Sequence, residues 1–287
     1  MATETLLTSL RVAILGLGLM GGSLALALHG KCTALWGIDL DPQIVSLAQA
    51  QGVVERASSR PEDLLPQADL VILAAPVRAI LDLLRQLPEL HPGPAIVMDL
   101  GSTKAQIMAA MQELPERFDP VGGHPMCGKE RGSLAHAEAG LYRDAPFALV
   151  ALERTSRRAE ALAETLALEV GARPLWLDAQ VHDRWAGATS HLPYLTANAL
   201  AAITPFDAAP LVGPGLQSTT RLAATPRRMM LEILATNREN VLAGLQRLQV
   251  RLAGLEARLQ AEDWLGLEEM LEDGAVRYEM LREHLTR

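Results

Sequence analysis

A short strand pattern, Arg11 to Leu15, runs without a break into Gly16-Leu17-Gly18-Leu19-Met20-Gly21, and an alanine- and leucine-rich helix pattern follows as far as Leu28. Strand, glycine turn and helix in that order leave the backbone few alternatives, because each glycine has a separate mechanical task. Gly16 permits the tight turn, Gly18 lets the backbone approach a pyrophosphate, and Gly21 lets the helix pack closely on the strand. The helix N-terminus offers unpaired N–H groups to an anion. A second strand pattern ends in Trp36-Gly37-Ile38-Asp39, so a carboxylate follows the last glycine by 18 residues, near the spacing of about 20 expected of a ribose-binding acid. Asp41, with Pro42 behind it, suits the cap of the next helix and leaves Asp39 for the ribose. The Asp39 carboxylate accepts from both ribose hydroxyls of NAD and repels the 2′-phosphate of NADP. No arginine follows it to favour the phosphate; Leu40 and Asp41 do. The expected cofactor is NAD, with NADP as the alternative.

Further apolar runs recur through the first half with helix-length segments between them: Ala34 to Ile38, Leu70 to Ala74, Ala95 to Met98, Phe147 to Ala151 and Pro174 to Leu177. They predict buried parallel strands in βαβ units, an α/β fold with an N-terminal Rossmann doubly wound parallel sheet. After about residue 178 the glycines and prolines cluster only between Thr204 and Gly215, and the remainder is Ala, Leu, Glu, Arg and Gln at helical spacing. An all-α domain should follow, dividing the chain into residues 1–178 and 179–287. Within it Leu245, Leu248, Leu252, Leu255 and Leu259 alternate steps of three and four, a narrow apolar seam. Such a seam either packs inside its own domain or joins two chains into a homodimer.

Composition removes several classes. With 49% apolar and 21% charged residues the chain can bury a real core. A net charge of −8 disfavours a dedicated nucleic-acid binder, whose phosphate contacts need clustered Lys and Arg. Two cysteines, Cys32 and Cys127, make no disulfide scaffold and suit reduced thiols in a cytoplasmic protein. The apolar N-terminal stretch is broken by glycines and has no basic leading region or cleavage site, so neither a signal peptide nor a membrane span is expected.

Ligands of such sheets sit at the carboxyl ends of the strands. The loops expected there are Ala75-Pro76-Val77, Gly101-Ser102-Thr103-Lys104 and Gly122-Gly123-His124-Pro125-Met126-Cys127-Gly128. Ala75, Pro76 and Ser102 are read as further cofactor contacts. His124, in a rigid and open loop, is the best general base of the seven histidines, since imidazole titrates near neutrality and can accept an alcohol proton as hydride leaves the same carbon. Cys127 has nothing around it that supports covalent catalysis. His191 stands early in the helical half at a proline-marked segment, and Arg221 follows a glycine-rich stretch from which a guanidinium could clamp a carboxylate. His29, His91, His136, His182 and His284 show no convergent neighbours, and no spacing suggests a metal site.

Together these residues resemble the prephenate and arogenate dehydrogenases of tyrosine biosynthesis along nearly the whole chain. The likeness rests on Gly16 to Ser23, Asp99-Leu100-Gly101-Ser102-Thr103-Lys104, the block Gly122 to Gly128, Ser190-His191-Leu192-Pro193, and Thr220-Arg221. The resemblance implies a Rossmann domain followed by a helical dimerisation domain, and an oxidative decarboxylation in which hydride passes to the nicotinamide and the ring carboxylate leaves as CO2. It further implies that His124, with Ser102 alongside, draws off the ring hydroxyl proton, that Arg221 binds a substrate carboxylate, and that His191 orients the substrate. Glu130 matches an acidic position that lines or gates the pocket. Tyr194 stands where prephenate-preferring relatives often carry a second histidine, so the choice between prephenate and arogenate stays open. A β-hydroxyacid dehydrogenase would use a lysine in the helical half, which contains none. A dinucleotide-sensing dimer without turnover would not need His124.

Overall fold

The computed structural model describes residues 6–129 and 132–285. Eight strands form one sheet: β1 (Arg11–Leu15), β2 (Ala34–Ile38), β3 (Arg56–Ser58), β4 (Leu70–Leu73), β5 (Ala95–Asp99), β6 (Phe118–Pro125), β7 (Pro146–Ala151) and β8 (Arg173–Trp176). Their order across the sheet is β3-β2-β1-β4-β5-β6-β7-β8. The first six run parallel; β7 reverses against β6, and β8 follows β7 in parallel. The sheet is therefore mostly parallel, with a reversed pair at one edge that apolar runs alone do not distinguish from a parallel one.

Helices α1 (Leu19–Leu28), α2 (Pro42–Ala50), α3 (Val77–Leu90), α4 (Ala105–Gln112) and α5 (Arg157–Glu169) connect the strands. Alternate residues of each central strand serve opposite faces, as the period of two demands. Val12 and Ile14 join Leu24 and Leu166 in one apolar cluster, while Ala13 and Leu15 join Ile80, Leu84 and Ile107 in the other. Burial on both faces explains why the central strands read as unbroken apolar runs. Strand β3 escapes that reading because its three residues lie at the sheet edge, none of them fully buried.

Strand β6 corrects the expectation of a loop at Gly122 to Pro125. These residues complete an eight-residue strand, with Gly122, Gly123, His124 and Pro125 paired to Val150, Leu149, Ala148 and Phe147. Glycine and proline inside a run argue against a strand when only local signals are read. Here the glycines answer to packing: a Cβ on Gly122 would come within 2.5 Å of Met108 Sδ, and one on Gly123 within 2.7 Å of the Asp99 carbonyl oxygen. Helix α4 and strand β5 can approach β6 only where no side chain intervenes.

Beyond β8 the chain is helical, as its composition predicts: α6 (Ala179–Ala186), a π-helical turn Gly187–His191, α7 (Leu192–Ile203), α8 (Pro214–Thr220), α9 (Arg227–Thr236), α10 (Arg238–Gln260) and α11 (Trp264–Leu285). By compactness alone the chain forms two units, Met1–Arg238 and Glu239–Arg287. Helices α6 to α9 thus belong to the same compact unit as the sheet, since α6 packs on α4 and α9 on α3. The second unit is a hairpin of two antiparallel-connected helices. Asp263 accepts from Gly266 N at 3.0 Å in the turn, and Arg251 pairs with Asp273 at 3.2 Å across it. Of the leucine seam, Leu245, Leu248 and Leu255 are partly buried, whereas Leu252 and Leu259 are more than half exposed. Among the described residues no helix is long and apolar enough to cross a membrane.

Candidate active site

The glycine turn after β1 has the geometry its sequence implies. Gly16 adopts φ +97°, and a Cβ there would sit 2.4 Å from the Ala74 carbonyl oxygen, so no other residue fits. In front of Gly18 the space is open, with nothing within 4 Å of a Cβ built there. Helix α1 begins at that point without a side-chain cap, which leaves its first N–H groups for an anion. Asp39, at the end of β2, accepts from Leu17 N at 2.8 Å through Oδ2 and from Asp41 N at 3.0 Å through Oδ1. Asp41 caps α2 by accepting from Gln43 N at 2.9 Å, as its place before Pro42 suggests.

Gly18, Leu19, Met20, Ala75, Pro76 and Ser102 line a cavity of about 320 Å³. Gly16, Leu17 and Gly21 shape the turn behind it, and Asp39 lies outside its wall. A second cavity, of about 410 Å³, is lined by His191, Tyr194, Arg221, Thr225 and Met230. Ser102, His124 and Cys127 belong to both walls. Four of the residues singled out for substrate chemistry, His124, His191, Tyr194 and Arg221, are thus brought to one space, with Ser102 at its junction with the nucleotide side. Glu130 lies outside the described residues. Cys127 is a poor nucleophile, because burial pushes its thiol up to about 11.

His124 is buried at the end of β6 and is not in an open loop. Its Nδ1 lies 2.8 Å from Nε2 of His182, whose own Nδ1 lies 2.8 Å from Asp183 Oδ1. This corrects the reading of His182 as a histidine without convergent neighbours. The only signal in the sequence was the dipeptide His182-Asp183 at the start of a helix, which by itself is equally a solvated pair. The Asp183 carboxylate also accepts from Lys104 N at 2.6 Å and Ala105 N at 2.9 Å, so it caps α4 from another helix and ties α6 to the loop that carries Ser102. Beneath this loop the fully buried Lys104 ammonium pairs with Asp99 and donates to the Gly123 carbonyl at 2.7 Å, while Asp99 accepts from Gly101 N at 2.7 Å. Lys104 thus pins the Ser102 loop to Asp99 at the end of β5 and, through the Gly123 carbonyl, to the strand that presents His124.

His191 is presented by the π-helical turn between α6 and α7. Pro193 lacks an N–H and its ring would crowd a carbonyl one turn back, and widening the helix by one residue relieves the clash without ending it. Nδ1 of His191 lies 3.1 Å from Nδ2 of Asn237. Burial, reinforced by the nearby His182 and opposed by Asp183, pushes His191 down to about 4. His124 is held well below the usual imidazole range by burial, with His182, Lys104 and His191 adding to the effect.

Both shifts make acid destabilising. Below pH 6.5 the unfolded chain binds protons at these rings that the folded state refuses, so stability present at neutral pH is lost as pH falls from 6.5 towards the folded values. The expected slope is about 1.4 kcal/mol per pH unit for each ring in that window. Urea denaturation at pH 7 and pH 5 reads it, and His191→Gln should flatten it. An unchanged midpoint would mean that the rings titrate normally in the folded chain.

The chain matches the prephenate dehydrogenase nucleotide-binding domain over residues 24–175 and the prephenate dehydrogenase dimerization domain over residues 178–273. It is 31% identical over 245 residues to a prephenate dehydrogenase of Bacillus subtilis, covering 80% of this chain and 65% of that relative's length. Among solved structures it resembles prephenate dehydrogenase from A. aeolicus in complex with hydroxyphenyl propionate and NAD+, with a TM-score of 0.87 at 26% identity, over 96% of this chain and 100% of that one. It also resembles Synechocystis arogenate dehydrogenase, with a TM-score of 0.80 at 25% identity, over 94% and 99% of the two chains.

Proposed function

The chain belongs to the prephenate dehydrogenase family, and from that membership we propose that it is a NAD-dependent dehydrogenase that oxidatively decarboxylates prephenate or arogenate in tyrosine biosynthesis. The observation that carries this reading is the position of Ser102 and His124 in the wall common to the nucleotide cavity and the cavity lined by His191 and Arg221. A hydride acceptor on one side and a small acid on the other would meet there.

The open approach at Gly18 and the uncapped start of α1 fit a pyrophosphate, and the Asp39 carboxylate fits a ribose. Gly16 to Gly21, Asp39, Ala75, Pro76 and Ser102 would hold NAD, which when bound accepts the hydride from the ring carbon that bears the hydroxyl. His124 reaches the hydroxyl through Nε2, because Nδ1 is spent on His182. The proton moves to His124 as the carbonyl forms, and loss of the ring carboxylate as CO2 sends electrons back to the same oxygen. His124 then returns the proton, so the step releases none. Arg221 neutralises a substrate carboxylate and His191 orients the ring. Tyr194 lines the same space. The helical hairpin is the contact of a homodimer, a reading supported by exposed Leu252, Leu259, Trp264 and Leu265. Cys32 and Cys127 are both free thiols, which supports a cytoplasmic setting.

Initial rates of NADH and NADPH formation with prephenate and with arogenate test the proposal. Turnover of either substrate supports it; NAD binding with no turnover of either would end it. Asp39→Ser should lower the preference for NAD over NADP by about tenfold or more, by removing a charge that repels the 2′-phosphate. An unchanged ratio of kcat/KM values would move Asp39 away from the ribose.

A further inference from the structure

His124 and His191 line one cavity, and each has its Nδ1 tied to the protein. Burial works against charge on Asp183, but the hydrogen bond from His182 and those from the backbone of Lys104 and Ala105 outweigh it and hold the carboxyl below its ordinary range. A carboxylate only accepts. His182 therefore donates to it through Nδ1 and, in its neutral form, carries a lone pair on Nε2. That lone pair takes the Nδ1–H of His124 over 2.8 Å, and a neutral imidazole protonated at Nδ1 is bare at Nε2. At His191 the same logic gives the opposite result. Asn237 Nδ2 lies 2.6 Å from the Asp183 carbonyl oxygen, and only the amide nitrogen can donate to it. This orients the amide, so the same nitrogen, 3.1 Å from His191 Nδ1, also donates there and His191 carries its proton on Nε2.

We propose that Asp183, His182 and Asn237 are positioning residues that hold the two cavity histidines in opposite tautomers, with an acceptor at His124 Nε2 and a donor at His191 Nε2. Asp183 is the common node: its carboxylate sets one ring and its carbonyl, through Asn237, sets the other. The use of the pair rests on the proposed reaction, in which the acceptor takes and returns the hydroxyl proton and the donor hydrogen-bonds a substrate oxygen. The tautomers themselves do not depend on the substrate.

Nitrogen-15 NMR of the full-length protein labelled at histidine, near pH 7.5, reads both rings directly. The expected spectrum has His124 protonated at Nδ1 and His191 at Nε2; either ring in the other form overturns the proposal, whatever the enzyme turns over. In Asp183→Asn the amide can donate to His182, reversing it and forcing the His124 proton onto Nε2. We expect kcat to fall about 10²-fold with the KM for NAD unchanged. In His182→Gln the side-chain carbonyl can still accept from His124, so kcat should stay within about fivefold of the wild type, whereas His182→Leu should lose about 10²-fold. Equal losses in the glutamine and leucine variants, with the wild-type His124 spectrum retained in both, would reduce His182 to packing and overturn the assignment. A variant that fails to fold leaves the decision to the wild-type spectrum.

Discussion

His124→Asn is expected to lower turnover by about 10³-fold while NAD affinity stays within about twofold of the wild type. Asparagine is close in size and its amide can still donate to His182 Nε2, 2.8 Å from the present ring nitrogen, so the buried network need not collapse. It cannot take a proton. The substitution therefore isolates proton transfer from packing. Of the groups fitted to NAD, the Gly16 to Gly21 turn, Asp39, Ala75, Pro76 and Ser102, none hydrogen-bonds the His124 ring, whose partner is His182. Steady-state NADH formation gives kcat, and a fluorescence titration with NAD gives affinity. A loss of less than about tenfold would remove His124 from the chemistry and leave its burial beside His182 as a structural feature.

Lys104→Met should destabilise the fold by about 3–5 kcal/mol. The ammonium and its partner Asp99 are both fully buried. Removing the cation leaves the carboxylate with only the backbone donors Gly101 N at 2.7 Å and Gly123 N at 3.2 Å, and strips the Gly123 carbonyl of its partner. An uncompensated buried charge costs far more than the lost contact. The midpoint of thermal unfolding should fall by about 10 °C for a unit of this size. Adding Asp99→Asn recovers part of the loss, because a neutral amide oxygen can still accept from Gly101 N. A drop of under about 1 kcal/mol for the single variant would mean that water reaches Asp99 once the lysine has gone.

How far the sequence carries depends on whether a feature is local. The glycine turn, the position of Asp39 at the end of β2, the Asp41 cap and the central strands follow from a few neighbouring residues, and the structure repeats them almost residue for residue. Strand β6 did not, since two glycines and two prolines look like a loop until α4 and β5 are packed against them. The same holds for His182. Its position 58 residues from His124 gives no spacing to read, and it becomes visible only when α6 is laid on the start of α4.

The sequence by itself determined the kind of fold, with its dinucleotide turn and helical second half, and the types of group that line the candidate site, imidazoles and an arginine. Backbone stereochemistry and the periods of strand and helix act over a few residues, so they are written in short stretches of chain. Only the tertiary structure decided which histidine touches which, that Lys104 and Asp99 are sealed together, and that helices α6 to α9 share a compact unit with the sheet. Those outcomes depend on desolvation and hydrogen bonding between distant segments, and both are properties of the assembled interior.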